Sequence, residues 1–174
     1  MLILRIISIT KTIMSMENKY QIIELWNSLK SLATIGLVKK LYDTTLPIQV
    51  YVTYSYPDDI IGIAVSFSKE FKIDVTSLSN LSELKIRQLA DTSMPGQKML
   101  HVQLMRNEYQ RAFAALCEDL VTTLKPLSTP KKMAQEVVNQ LYRWKNLFGK
   151  MKFDGLSKEE QQGLSLIHIS EPTR

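Results

Sequence analysis

Two acidic residues and a lysine in the first half of the sequence fit, in order, the PD…(D/E)xK pattern of metal-dependent phosphodiester cleavage. Pro57-Asp58 supplies the first acid, and Glu70-Phe71-Lys72 supplies the second acid and the lysine. In this chemistry two carboxylates hold a divalent metal, and the lysine positions and polarises the attacking water. On a strand, Glu70 and Lys72 would lie on the same face, as the chemistry requires.

The same pattern is matched a second time, because Glu83-Leu84-Lys85 also supplies an acid and a lysine at the right spacing. Asp58 stands within Tyr-Pro-Asp-Asp, where Pro fixes φ and Asp bonds its own backbone, so these residues favour a tight turn. We therefore expect a turn and a charged strand edge here, and assign neither a catalytic residue nor a metal ligand.

Positive charge on the last predicted helix is a second candidate feature. Lys131 and Arg143 lie on its solvent stripe, and Lys150 and Lys152 continue the charge past its predicted end. Clustered Lys and Arg neutralise the phosphates of nucleic acid. These four residues are the candidate nucleic-acid contacts, and the alternative is an ordinary solvated helix face.

Other reactive side chains are expected to have structural roles. Trp144, with Tyr142 nearby, could stack on a base, although such residues more often pack on a neighbouring sheet. His101 stands alone on a predicted strand, and Cys117 falls in an apolar helical register. Without a Cys or His pair at ligand spacing, a zinc site is not expected.

Composition sets the class of protein. The 174 residues are 45% hydrophobic and 22% charged, which is typical of a globular protein with one main domain. A single cysteine fits a reducing compartment, so we expect a cytoplasmic location without a membrane span. The net charge of +5 is compatible with an acidic partner such as DNA.

Hydrophobic periodicity predicts an α+β fold. Apolar residues from Ile22 to Leu29 recur at helical spacing, and Gly36 is expected to stop that helix. Alternation over 48–55 and 61–67 predicts a hairpin with one buried face. Further short strands are expected at 71–75, 84–89 and 99–104. Since no helix separates them, we expect an antiparallel meander of four to five strands.

Two long helices are expected after the sheet. In the first, apolar residues recur from Tyr109 to Leu124, with Asn107 as its expected N-cap. In the second, Thr129 is the expected cap, Pro130 takes the first position, and Gly149 is expected to end the helix. Phe113 and Leu120 on the first helix, and Val138 and Leu141 on the second, are expected to face inward.

Both ends of the sequence carry unusual signals. Residues 1–15 are interpreted as a doubtful extension, because Met14 and Met16 lie just before the first helical pattern. Residues 164–174 match, in a single frame, the translation of a transposase-type sequencing adapter, so we expect them to be artefactual. Ser157-Lys-Glu-Glu160 is a capping box that announces a further helix. We therefore divide the chain into an accessory domain over 16–150 and a linker with a helix start over 151–163.

Three motifs in the second half carry a family resemblance. They are Phe113-Ala-Ala-Leu-Cys-Glu-Asp-Leu120, Leu141-Tyr-Arg-Trp144 and Leu156-Ser-Lys-Glu-Glu-Gln-Gln-Gly-Leu164. In this order they resemble the amino-terminal half of a bacterial family of PD-(D/E)XK-motif, restriction-endonuclease-like proteins found near restriction and phage-defence genes. The resemblance implies a Mg²⁺-dependent DNA nuclease for the full-length family.

The catalytic residues of that family come after the part that this sequence resembles. There the Gly-Leu pair is followed by Gly-Glu-Leu, whereas here Leu164 is followed by Ser165-Leu166-Ile167. The resemblance thus implies an inactive amino-terminal fragment without its catalytic core or cofactor. The alternative is a stand-alone binding module for nucleic acid or for a restriction or defence-system partner.

Overall fold

The computed structural model describes residues 20–43, 45–79 and 81–154, with side chains as far as residue 150. The predictions for residues 1–15, for the capping box at 157–160 and for the adapter-like residues 164–174 lie outside these described residues. The division into domains therefore remains a prediction. Among the described helices, none is both long enough and apolar enough to cross a bilayer.

The described chain has the predicted α+β architecture of an amino-terminal helix, a five-stranded sheet and two carboxy-terminal helices. In chain order the elements are α1 (Gln21–Leu32), β1 (Gly36–Leu41), β2 (Val50–Tyr56), β3 (Ile60–Ser68), β4 (Leu84–Ala90), β5 (Gln97–Leu104), α2 (Gln110–Leu124) and α3 (Pro130–Asp154).

All neighbouring strands are antiparallel, and their order is β1-β2-β3-β5-β4. This order departs from a simple meander, because β5 rather than β4 lies beside β3. The two strands differ in burial and in charge. From Met99 to Leu104, β5 is buried on both faces, while β4 alternates between buried and exposed residues. The strand with two charged residues, Lys85 and Arg87, takes the edge, and the strand with one, Lys98, takes the interior position.

One predicted strand does not form, and one observed strand was not predicted. The segment 71–75 forms no strand, because Asp74 accepts a hydrogen bond from the Thr76 amide at 2.9 Å and turns the chain into a short 3-10 helix. Conversely, the first helix ends at Leu32 rather than at Gly36, and Gly36 begins β1, a strand that the sequence did not predict. Lys39 and Lys40 interrupt the apolar alternation of this edge strand.

The three helices cover one face of the sheet and form the core with it. Trp26 of α1 stacks on Phe113 of α2, with ring centroids 5.6 Å apart. Trp144 of α3 meets the same ring edge-on at 6.0 Å. Phe113, Leu120 and Leu141 are buried as predicted, which confirms the inward faces of both long helices at these positions. Val138 is only half-buried.

Helix ends differ from the predictions in two places. Asn107 does not cap α2; a 3-10 turn over Asn107–Tyr109 precedes the helix, and no side chain bonds its first amides. Gly149 does not end α3, which continues to Asp154 and so crosses the boundary predicted after residue 150. A single helical glycine costs only about 1 kcal/mol, which packing elsewhere along a long helix offsets. Thr129 does cap α3.

The second face of the sheet is polar yet buried, which corrects the prediction of one buried face for the hairpin. On β2, Tyr51 and Thr53 are buried as well as Val50, Val52 and Tyr54. Register places Thr53 beside Gly62, and Ala64 beside His101, on the face away from the helices. None of the described helices packs on this surface, and we therefore call it the open face.

Candidate functional site

The structure separates the residues of the PD…(D/E)xK pattern. Asp58 lies in the turn between β2 and β3, and Glu70 and Lys72 follow the far end of β3. The nine residues of β3 stand between them, a length of roughly 26 Å at the usual rise per residue. One metal ion cannot bridge two carboxylates at that distance, so these residues do not fit a Mg²⁺ site.

The competing match at Glu83 and Lys85 is no better. Glu83 is buried and accepts a hydrogen bond from Ser82 Oγ at 2.6 Å, whereas Lys85 is exposed. Within residues 20–43, 45–79 and 81–150, no group of three His, Cys, Asp or Glu side chains could hold a metal ion. The expectation of a structural turn at Asp58 agrees with its position in the hairpin.

The cations of α3 separate into two groups with different surroundings. Arg143 and Lys150 share an exposed row with Lys132, since separations of 11 and 7 residues each return within about 20° of the same helix face. Lys131 is turned from this row by about 100° and lines a cleft instead. We call Lys132, Arg143 and Lys150 the basic row.

The basic row carries little compensating acid. Glu136 is the only acidic residue among positions 130–150, and it lies 4.0 Å from Arg143 with that guanidinium 57% exposed. An exposed pair of this kind contributes at most about 1 kcal/mol, so Arg143 remains available to an external anion. The sequence reading missed Lys132, because it followed an i, i+4 stripe that drifts around the helix. The side chain of Lys152 lies outside the described part.

The cleft beside α3 has a volume of about 590 Å³. One wall is the segment 70–74, which contributes Lys72 and Phe71; the other is α3, which contributes Lys131, Gln135 and Tyr142. Thus the structure places a residue of the nuclease-like pattern, Lys72, and a candidate nucleic-acid contact, Lys131, in the lining of one cleft. The linear sequence offered no signal that these two lysines share a cleft, because they are far apart along the chain.

Three hydrogen bonds hold the two walls of the cleft in place. The Tyr142 hydroxyl bonds Ser77 Oγ at 2.7 Å, and Lys145 donates to the Ser77 carbonyl at 2.5 Å. Gln88 on β4 donates to the Ile73 carbonyl at 2.6 Å. The cleft is therefore preformed rather than dependent on a ligand for its shape. Trp144, by contrast, is fully buried against Phe113, which confirms packing as its role.

The open face carries a first polar cluster around His101. Its Nε2 lies 2.9 Å from Thr53 Oγ1, and its Nδ1 has no partner among the described residues. Burial, together with the charge of Arg87 on the neighbouring strand, lowers the pKa of His101 to about 4. The imidazole is therefore neutral at pH 7, and the histidine is structural, as expected from the sequence.

A second cluster on the open face surrounds Asp91. Its carboxylate accepts hydrogen bonds from Lys39 Nζ at 2.7 Å, from Ser66 Oγ at 2.6 Å and from the Ser93 amide at 2.9 Å. Burial would raise the pKa of Asp91, but these bonds outweigh it and hold the pKa below its usual value. With the Tyr51 hydroxyl at 3.4 Å as a fourth donor, protein groups surround this carboxylate, so we assign it no ligand.

The free thiol of Cys117 is also confirmed as packing. It is fully buried within the core, and burial raises its pKa well above the usual range. A buried, protonated thiol is neither a nucleophile nor a metal ligand.

Comparison with known protein families finds one family that matches the chain. A family model described as "Putative PD-(D/E)XK family member (DUF4420)" matches residues 22–165, which is most of the chain and includes nearly all of the fold described above. No curated protein and no solved structure matches the chain. On the extent of the family match, the chain belongs to this PD-(D/E)XK family.

Proposed function

We propose that this chain is a DNA-contacting, non-catalytic amino-terminal part of a restriction-type PD-(D/E)XK endonuclease that acts in restriction or phage defence in the reducing cytoplasm. In this proposal the nuclease core, with its Mg²⁺-binding acids, lies in sequence beyond the described fold. Its partners are DNA and other proteins of the same defence system.

The observation that carries the non-catalytic assignment is the separation of Asp58 from Glu70 by the full length of β3. Phosphodiester cleavage of this type needs converging acids that hold a metal where negative charge develops. The acids that fit the motif do not converge, so the motif match in this part of the chain is coincidental.

The basic row supports the DNA-contacting part of the proposal. Three exposed cations follow one face of α3, and the helix rise places Lys132 and Arg143 about 16 Å apart and Arg143 and Lys150 about 10 Å apart. Phosphate neutralisation requires exposed, aligned cations and no base-specific geometry. We therefore assign this surface to backbone contacts rather than to sequence recognition.

A cleavage assay tests the non-catalytic assignment. The purified chain, with Mg²⁺ or Mn²⁺, is expected to leave supercoiled plasmid DNA uncut above a no-protein control. Cleavage that disappears in both Glu70→Ala and Lys72→Ala would show that the site lies in this fold after all. DNA binding is tested separately with the triple variant Lys132→Gln, Arg143→Gln and Lys150→Gln.

A second candidate function is a stand-alone binding module for nucleic acid or for a defence-system partner. The same basic row favours it, because binding through these cations needs no nuclease core. The gene sequence discriminates the two functions. Continuation into Gly-Glu-Leu and a later Glu-x-Lys strand supports the endonuclease, while a stop codon soon after Leu164 supports the module.

A further inference from the structure

The cleft beside α3 combines cationic, aromatic and polar residues, whereas the basic row consists of cations alone. Its volume of about 590 Å³ lies within the range of about 300–1,000 Å³ found for small-molecule sites. Lys131 and Tyr142, at its two ends along α3, are separated by 11 residues, or about 16 Å of helix. The cleft is therefore long enough for a ligand with one charged end and one flat end.

Two cations are available at the charged end. Lys72 and Lys131 come from opposite walls, and neither forms an ion pair with a residue that the structure describes. The lining also contains two acids, Glu70 and Asp74. Asp74 is occupied by its turn, where its hydrogen bonds to Thr76 lower its pKa, whereas Glu70 is exposed to solvent and its charge is screened there. A phosphate placed between the two lysines would be neutralised from both sides.

The other end offers a flat apolar surface with hydrogen-bonding groups beside it. Tyr142 is held by its bond to Ser77, so its ring is ordered before any ligand arrives. Phe71 and the half-exposed Val138 extend the apolar surface, and Gln135 can both donate and accept. Stacking of a base on such a ring contributes about 1–3 kcal/mol in single-strand binding proteins.

We propose that this cleft binds one nucleotide unit, with its 5′-phosphate between Lys72 and Lys131 and its base against Tyr142. The site is separate from the basic row and does not depend on duplex binding. The unit comes either from a free nucleoside monophosphate or from a nucleotide within a single strand, and the same residues recognise both.

Neighbouring lysines provide a matched pair of variants. Lys131 lines the cleft and Lys132 lies on the basic row, although both are exposed cations in the first turn of α3. Lys131→Gln is expected to weaken binding of a 2′-deoxynucleoside 5′-monophosphate about tenfold, as loss of a charged hydrogen bond does. Lys132→Gln is expected to leave this affinity unchanged and to weaken duplex binding instead.

The measurement is an NMR titration with each of the four 2′-deoxynucleoside 5′-monophosphates, with inorganic phosphate as the comparison ligand. We expect saturable shifts of the Tyr142 and Phe71 ring signals with nucleotides, and weaker binding of phosphate alone. Tyr142→Ala is expected to remove the preference for nucleotide over phosphate, while its amide spectrum reports that the fold is intact.

Three outcomes would overturn the proposal: no saturable shift at the cleft, equal affinity for nucleotide and inorganic phosphate, or equal losses in the Lys131 and Lys132 variants. A parallel titration with a short oligothymidylate identifies the source of the unit. Tighter binding of the oligonucleotide supports a single strand, and exclusive binding of the monophosphate supports a free nucleotide. Failure of duplex binding alone would contradict only the proposed function.

Discussion

Lys39 and Asp91 form an ion pair of 2.7 Å across the open face, although they belong to opposite edges of the sheet. Asp91 follows the edge strand β4 and turns inward to reach Ser66 on the central strand, and Lys39 approaches it from β1 over the ring of Tyr51. The Asp91 side chain is completely buried, and that of Lys39 is 17% exposed. The pair thus connects the two edge strands of the sheet directly.

Breaking this pair is expected to destabilise the fold strongly. Lys39→Met leaves the buried Asp91 carboxylate without its cation, which costs about 3–5 kcal/mol in comparable buried pairs. Urea unfolding at pH 7 measures the change. Lys40→Met is the control, because Lys40 is exposed on the same strand. Equal losses in the two variants would contradict the importance of the pair.

The same pair predicts a loss of stability in acid. Because the folded-state pKa of Asp91 is lowered, its contribution is fully present above the unfolded value of about 3.9 and is lost as pH falls through the lower folded pKa. Asp91→Asn is expected to flatten the stability curve below about pH 4. An unchanged slope in that window, measured by urea unfolding, would contradict the assignment.

His101 predicts a second, separate pH window. Its folded-state pKa of about 4 lies below the unfolded value of about 6.5, so between these limits the unfolded state binds a proton that the folded state does not. Stability is expected to fall by roughly 3 kcal/mol as pH drops from about 6.5 to 4. His101→Gln should remove that slope, and a slope that persists in this variant would have another origin.

Gly62 and Gly149 are expected to respond oppositely to replacement by alanine. A Cβ on Gly62 would meet the Val102 carbonyl at 2.5 Å and Thr53 Oγ1 at 2.6 Å, which demands a backbone shift costing about 1–3 kcal/mol or more. At Gly149, inside α3, nothing lies within 4 Å, so alanine should stabilise by about 0.5–1 kcal/mol. Thermal unfolding of the two variants compares them directly.

The two buried tryptophans differ in one hydrogen bond. Trp26 Nε1 donates to the Gly62 carbonyl at 2.9 Å, whereas Trp144 Nε1 has no partner among the described residues. Both side chains are fully buried. Trp26→Phe should therefore cost about 0.5–1.5 kcal/mol more than Trp144→Phe, because only the first removes a hydrogen bond. Equal costs by urea unfolding would mean that packing alone decides both.

The amino-acid sequence by itself determined the α+β class, the hairpin at Pro57, the two long helices and the family. These features depend on local period and on residues close together in the chain, such as the apolar register from Phe113 to Leu124. The sequence did not reveal that β5 pairs with β3, or that the segment with Lys39 and Lys40 forms strand β1. Both features depend on the whole sheet, because strands compete for its edge and interior positions.

The candidate sites show even more clearly which features the sequence predicts and which only the tertiary structure decides. Spacing alone placed Asp58, Glu70 and Lys72 in one motif, yet the extended length of β3 holds the acids apart. Spacing also grouped Lys131 with Arg143, but the 100° turn per residue of α3 sends them to different surfaces. Only the tertiary structure places Lys72 and Lys131 in one cleft, because a cleft between two segments distant in sequence exists only after both have packed on the same core.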